Sequence, residues 1–274
     1  MIVSLALALA LADPVQAPMP AAEPAAQLSL AEAGRAIAAG RLDQAKAMLS
    51  AAVAAGVKGE PVDRLLADLA LARGENEQAY GLYKALLIAH PGEALLLERG
   101  GIAALRLGRN GEATALLDRA TRAPGAGWRS WNARGVAADR QGRWDEADAA
   151  YARAGQIDPA RAEVPNNLGW SLMLRGRWGE AAAQFEKAAV LNPRLPRLAN
   201  NLELARAAVA ADLPQRMAGE SDEAFGARLN DAGVVAAAAG QAKRAEAAFA
   251  QAIELKSRWY DRAARNLAAL GNPK

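Results

Sequence analysis

The chain has no cysteine, a single histidine and only 5% aromatic residues among 274. Without cysteine there can be no disulfide, thiolate metal site, thiol nucleophile or cysteine-borne lipid anchor. The one histidine, His90, directly precedes Pro91 with no fixed partner in view, and reads as a surface turn residue rather than a general base. Gly100-Gly101 and Pro124-Gly125-Ala126-Gly127 lack the lysine and Ser/Thr that a phosphate-cradling loop requires. Acid pairs such as Asp145-Glu146 fall at helix starts, where they complement the helix dipole. No cofactor or metal is expected, and the chain reads as non-enzymatic. Lys+Arg of 33 nearly balance Asp+Glu of 30, leaving +3 in spite of a pI near 9.3. No lysine-rich stripe with interleaved aromatics appears, so nucleic acid is not an expected partner. Nor does any apolar run approach the ~20 residues of a membrane span.

What the chain does have is a period. Gly40, Gly74, Gly108, Gly142 and Gly176 stand 34 residues apart, and five residues after each comes Ala45, Ala79, Ala113, Ala147 or Ala181. A fixed spacing of this kind signals stacked units too small to bury an apolar face alone. In-phase units begin at Ala26, Glu60, Ala94, Trp128 and Ala162, with a sixth begun at Pro196. Within each, places 4, 7, 8 and 11 form one helical stripe. Glycine or alanine at place 8 (Ala33, Ala67, Gly101, Gly135, Gly169, later Gly233) lets a second helix approach closely. The place-15 glycine ends the first helix in a left-handed conformation that carries no Cβ penalty. Place 24 bears a bulky knob: Leu49, Tyr83, Leu117, Tyr151, Phe185, later Phe249. Pro91, Pro159 and Pro193 close their units, because proline cannot continue a helix interior.

This residue set resembles the tetratricopeptide repeat, a 34-residue helix–turn–helix, over about residues 26 to 272. The resemblance implies an all-α, right-handed solenoid of antiparallel helix pairs whose first helices line a concave groove. Expected divisions are a signal-peptide-like segment 1–12, an Ala/Pro-rich linker 13–25, a repeat array 26–211, an insertion or hinge 212–220, and a C-terminal repeat with capping helix 221–274. The phase breaks at 212–220; Ser221 followed by Asp222 and Glu223 then reads as a helix N-cap. Gly240, Ala245, Phe249 and Ala252 restore the pattern out of phase.

Residues 2–12 form a short apolar run ending Ala10-Leu11-Ala12 before Asp13-Pro14, like a secretory signal, although no Lys or Arg precedes it. Export to a periplasm or cell envelope is the expectation; the alternative is a cytoplasmic protein with an unprocessed N-terminus.

Places 2, 5, 6, 9 and 13 fall opposite the packing stripe, on the side that the resemblance assigns to the groove. Asparagine recurs there: Asn132, Asn166, Asn167, Asn200, Asn201 and Asn230, echoed by Asn266. Amides offer both donor and acceptor, so they suit the backbone of an extended peptide. Equally, they can bridge neighbouring repeats, and both readings stand. Trp170 at place 9 is a candidate anchor, and Arg129, Arg197 and Arg262, near helix starts, could receive acidic groups. Trp131, Trp144 and Trp178 read as packing residues. The expected partner is a protein or extended peptide, held by a non-enzymatic adaptor; an RNA-binding helical array is a further alternative. The stretch from Trp131 through Leu202 is similar to tetratricopeptide proteins of the Flp/Tad pilus assembly apparatus, which implies a role in building that envelope machine.

Overall fold

The computed structural model describes residues 22–255 and 260–271. The signal-like segment 1–12 and linker residues 13–21 lie outside them. Among the described residues there are fourteen α-helices and no strand, and the chain divides into two compact units, one up to Glu75 and one from Asn76 onward.

The first unit contains α1 (Ala22–Ala38), α2 (Leu42–Ala54) and α3 (Glu60–Arg73). Its core gathers Ala33, Ala36, Ala45, Leu49 and Leu69. Helix α1 takes in residues 22–25, read above as linker. Pro24 is tolerated because first-turn N–H groups have no intrahelical acceptor to lose.

The second unit runs α4 (Asn76–Ala89), α5 (Ala94–Arg106), α6 (Asn110–Arg122), α7 (Trp128–Asp139), α8 (Trp144–Ile157), α9 (Glu163–Leu174), α10 (Trp178–Leu191), α11 (Leu198–Ala210), α12 (Asp222–Ala238), α13 (Ala242–Glu254) and α14 (Tyr260–Leu270). Consecutive helices pack from α4 to α11, and the first helices α5, α7, α9 and α11 also pack on one another in series. That second set of contacts is what a stacked array adds to isolated helix pairs.

The punctuation in the sequence acts as its chemistry dictates. All six turn glycines, Gly240 included, have φ between 68° and 77°. The residue after each turn glycine donates its N–H back across the turn, as in Arg143 to Ala138 O (3.0 Å) and Arg177 to Leu172 O (2.9 Å). These bonds satisfy carbonyls that the helix end would otherwise orphan. The place-8 glycines are there for space. A Cβ on Gly169 would lie 2.6 Å from Phe185 Cε1, and one on Gly135 2.6 Å from Tyr151 Cε1. Phe185 itself is completely buried.

The insertion is packed. Leu213 is buried, and its carbonyl accepts from Trp178 Nε1 at 3.3 Å. Trp178 in turn stacks on Phe225 of α12, with centroids 6.2 Å apart. Gly176 underlies the strap so closely that a Cβ there would be 2.8 Å from the Arg216 backbone nitrogen. The Arg216 side chain, 8% exposed, bonds Asp222 at 2.5 Å. A hinge would need few such contacts. Segment 212–220 is a strap fastened to the preceding repeat, and α12 is capped by Ser221, whose Oγ accepts from Ala224 N.

Candidate protein-binding groove

In the second unit, α5, α7 and α9 together line one hollow of about 500 Å³. Its apolar floor is Ile102, Leu105, Ala133 and Val136, with Leu195 and Pro196 at one end. The polar rim is Arg106, Arg129, Arg140, Asn132, Asn166, Asn167 and Glu163. Helical spacing produces this wall: places 2, 5, 9 and 13 of consecutive first helices come side by side once the helices stack. Of the residues singled out from sequence, Arg129, Asn132, Asn166 and Asn167 meet here.

The asparagines are linked to each other across the repeats. Asn167 Nδ2 donates to Asn132 Oδ1 (3.2 Å), Asn166 Nδ2 to Asn167 Oδ1 (3.3 Å), and the Asn166 and Asn201 amides meet at 3.0 Å. Turned to satisfy both ends, the Asn201 amide donates to Arg197 O (3.0 Å) and accepts from Trp170 Nε1 (2.9 Å). Asn266 Nδ2 repeats the pairing with Asn230 Oδ1 at 2.9 Å. Asn201 and Asn230 are only 3% and 2% exposed, so their amides serve the wall instead of facing a ligand. Trp170 is likewise engaged, edge-on to Phe185 and bonded to Asn201. Asn200, Arg197 and Arg262 are exposed, but none of them lines this hollow. The 34-residue period explains the ladder: it sets the same side chain on neighbouring helices at hydrogen-bonding range.

Other inter-repeat bonds were not read from the sequence. Ser130 Oγ donates to Glu98 Oε2 and Ser171 Oγ to Asp139 Oδ1, both at 2.6 Å. Each spans 32 residues, two short of the repeat, so a search at one fixed place misses them. Asp139 also accepts from Tyr151 OH at 2.6 Å. Burial raises the Asp139 carboxyl from 3.8 to about 6, outweighing the two hydroxyl donors and the Arg175 guanidinium, which pull it down. A folded-state value above the unfolded one means that protonation stabilises the fold. The contribution is complete below the unfolded value and lost as pH rises through about 6. Between about pH 7 and about pH 5 the native state should gain about 1 kcal/mol from this group. Asp139→Asn should flatten that part of the profile, read as urea midpoint against pH.

A family model described as "Tetratricopeptide repeat" matches residues 30–94 and 98–162. No curated protein matches the sequence. Among solved structures, a thermophilic tetratricopeptide-repeat protein of Thermus thermophilus is 22% identical, with a TM-score of 0.58, over 66% of this chain and 98% of that one. PilW, described as a widely conserved type IV pilus biogenesis factor, is 21% identical, with a TM-score of 0.55, over 83% of this chain and 91% of its own. A tetratricopeptide repeat protein from Parabacteroides merdae ATCC 43184 is 15% identical, with a TM-score of 0.53, over 91% and 100%. At these identities the likeness is one of fold. Among the described residues no helix is long and apolar enough to cross a membrane.

Proposed function

We propose that this chain, which is built of tetratricopeptide repeats and so is a non-enzymatic protein-interaction scaffold, grips an extended segment of a partner protein along the α5–α7–α9 wall. The observation that carries the reading is the hollow itself: an apolar floor with a hydrogen-bonding rim, continuous across three repeats. A few precisely placed polar groups around apolar lining are what orient a bound chain without demanding a long sequence motif. The asparagine ladder contributes by fixing the register of neighbouring first helices, and Asn132 remains at the rim.

The setting we propose is a bacterial envelope assembly of the Flp/Tad pilus kind. Support comes from the signal-like residues 1–12 and from the resemblance of the Trp131–Leu202 stretch to that apparatus. The fold shared with PilW agrees with this setting. N-terminal sequencing of the native protein tests the location: export predicts a start near Asp13, whereas retention of Met1 or Ile2 points to the cytoplasm. The groove is tested with a photoreactive amino acid placed at Asn132 or, as a control, at Val190 on α10, which is 85% exposed. Cross-links to one partner from Asn132 and not from Val190 are the expected result; equal labelling from both positions contradicts the groove reading.

A further inference from the structure

The rim of the hollow is short of acceptors. Arg129 and Arg140 form no ion pair among the described residues, whereas Arg134, Arg143, Arg175, Arg177 and Arg206 each do. Arg129 is held over the Trp128 ring, its Cζ 5.0 Å from the centroid, while Arg161 lies against the same ring at 5.3 Å. A cation held over a ring face is restrained without spending its N–H groups on an acceptor. Arg140 spends one Nη on the Leu105 carbonyl and keeps its remaining donors. Asn132 has its oxygen occupied by Asn167. Its Nδ2 has no protein partner among the described residues, so it too presents only donors. Glu163 is the single carboxylate of the lining.

Between these donors lie Ile102, Leu105 and Val136, which offer nothing polar. We infer that the occupant of this groove is an extended acidic peptide segment carrying an aliphatic side chain: carboxylates for Arg129 and Arg140, a backbone carbonyl for Asn132 Nδ2, and the aliphatic group for the floor. Charge complementarity selects the sign of the ligand, and the apolar floor selects a protein over a bare polyanion, since Trp128, the one aromatic of the lining, already carries Arg129 and Arg161 against its ring. The inference deepens the groove reading above and rests on it.

The test uses the full chain and fluorescein-labelled ten-residue peptides, followed by anisotropy at low and moderate salt. The probes are an Asp/Glu peptide with one central leucine, the same peptide with serine for leucine, a Lys counterpart, and an oligouridylate. The acidic leucine peptide should bind, and weaken as salt is raised. Replacing its leucine by serine should weaken it about tenfold. Arg129→Glu and Arg140→Glu should each cost about tenfold or more. Asn132→Asp, which keeps the acceptor for Asn167 but turns the free donor into a carboxylate, should do the same. Arg129 is exposed, so the Arg129→Glu melt should match the parent and certify the fold, whereas Arg140→Glu also gives up the bond to the Leu105 carbonyl and should melt slightly lower while staying cooperative. Equal or tighter binding of the Lys peptide or the oligouridylate overturns the inference, as does acidic binding that survives the double Arg129→Glu/Arg140→Glu variant. Should no peptide bind while cross-linking from Asn132 still finds a partner, the acidic assignment fails and the groove reading stands.

Discussion

Phe185→Ala should cost about 4 kcal/mol of stability, and its neighbour Gly169 should then change the sign of its response to alanine. Phe185 is fully buried in the core cluster that joins α9, α10, α11 and α13, so truncation leaves a cavity with little freedom to collapse. In the parent chain Gly169→Ala drives a Cβ to within 2.6 Å of the Phe185 ring. Overpacking of that kind costs about 1–3 kcal/mol, against which the better helix propensity of alanine returns about 1 kcal/mol. A net loss is expected. In the Phe185→Ala background the ring is gone, and the same Gly169→Ala change should recover about 1 kcal/mol. Urea unfolding of the four proteins in the cycle measures this. Losses that simply add would show that places 8 and 24 do not meet as described.

The second large effect concerns the strap. Trp178→Ala removes the stacking partner of Phe225 and the donor to Leu213 O, and should cost about 3–5 kcal/mol. Local release matters more than the total. Arg216, 8% exposed and bound to Asp222, is a trypsin site protected by the packing of segment 212–220. Once the strap is unfastened, cleavage after Arg216 should accelerate by at least about tenfold, in line with a drop of more than about 1.4 kcal/mol in the local opening free energy. Trp178→Phe keeps an aromatic face toward Phe225 but loses the indole N–H and part of the ring volume, so it should cost about 1–2 kcal/mol and leave Arg216 protected. If trypsin ignores Arg216 in Trp178→Ala, the strap is held by something other than the indole.

These two sites mark where the sequence could and could not be read. Phe185, Gly169 and Gly176 were legible because each does the same job in every repeat, and a job repeated at one spacing leaves a period. The strap was visible only as a gap in that period. Nothing in Asp212–Glu220 announces that Leu213 caps Trp178, since the contact joins a unique segment to a residue 35 positions earlier. The start of α1 at Ala22 was hidden for a similar reason: Pro24 suggests a linker, yet a first turn accepts it.

The groove was half legible. Of the asparagines at places 5 and 6, Asn132, Asn166 and Asn167 line the hollow, while Asn200 does not. Their partners did not follow, because side chains recurring at the repeat spacing meet one another before they meet a ligand. Arg106 and Arg140 share place 13 in consecutive units, on the groove side of the helical step. Arg140, with Arg129 at place 2, carried the more useful signal, for their donors form no ion pair among the described residues, and the amides of Asn166 and Asn167 are spent on the ladder.

Hydrogen exchange of the full chain, free and saturated with the acidic leucine peptide, tests the central claim most directly. Slowed exchange confined to α5, α7 and the first half of α9, with α6, α8 and α10 unchanged, is the predicted result. Protection on α8 and α10 with α5 and α7 unaffected would contradict it, because the segment would then lie on the outer helices and not across the wall that Arg129, Asn132 and Arg140 border.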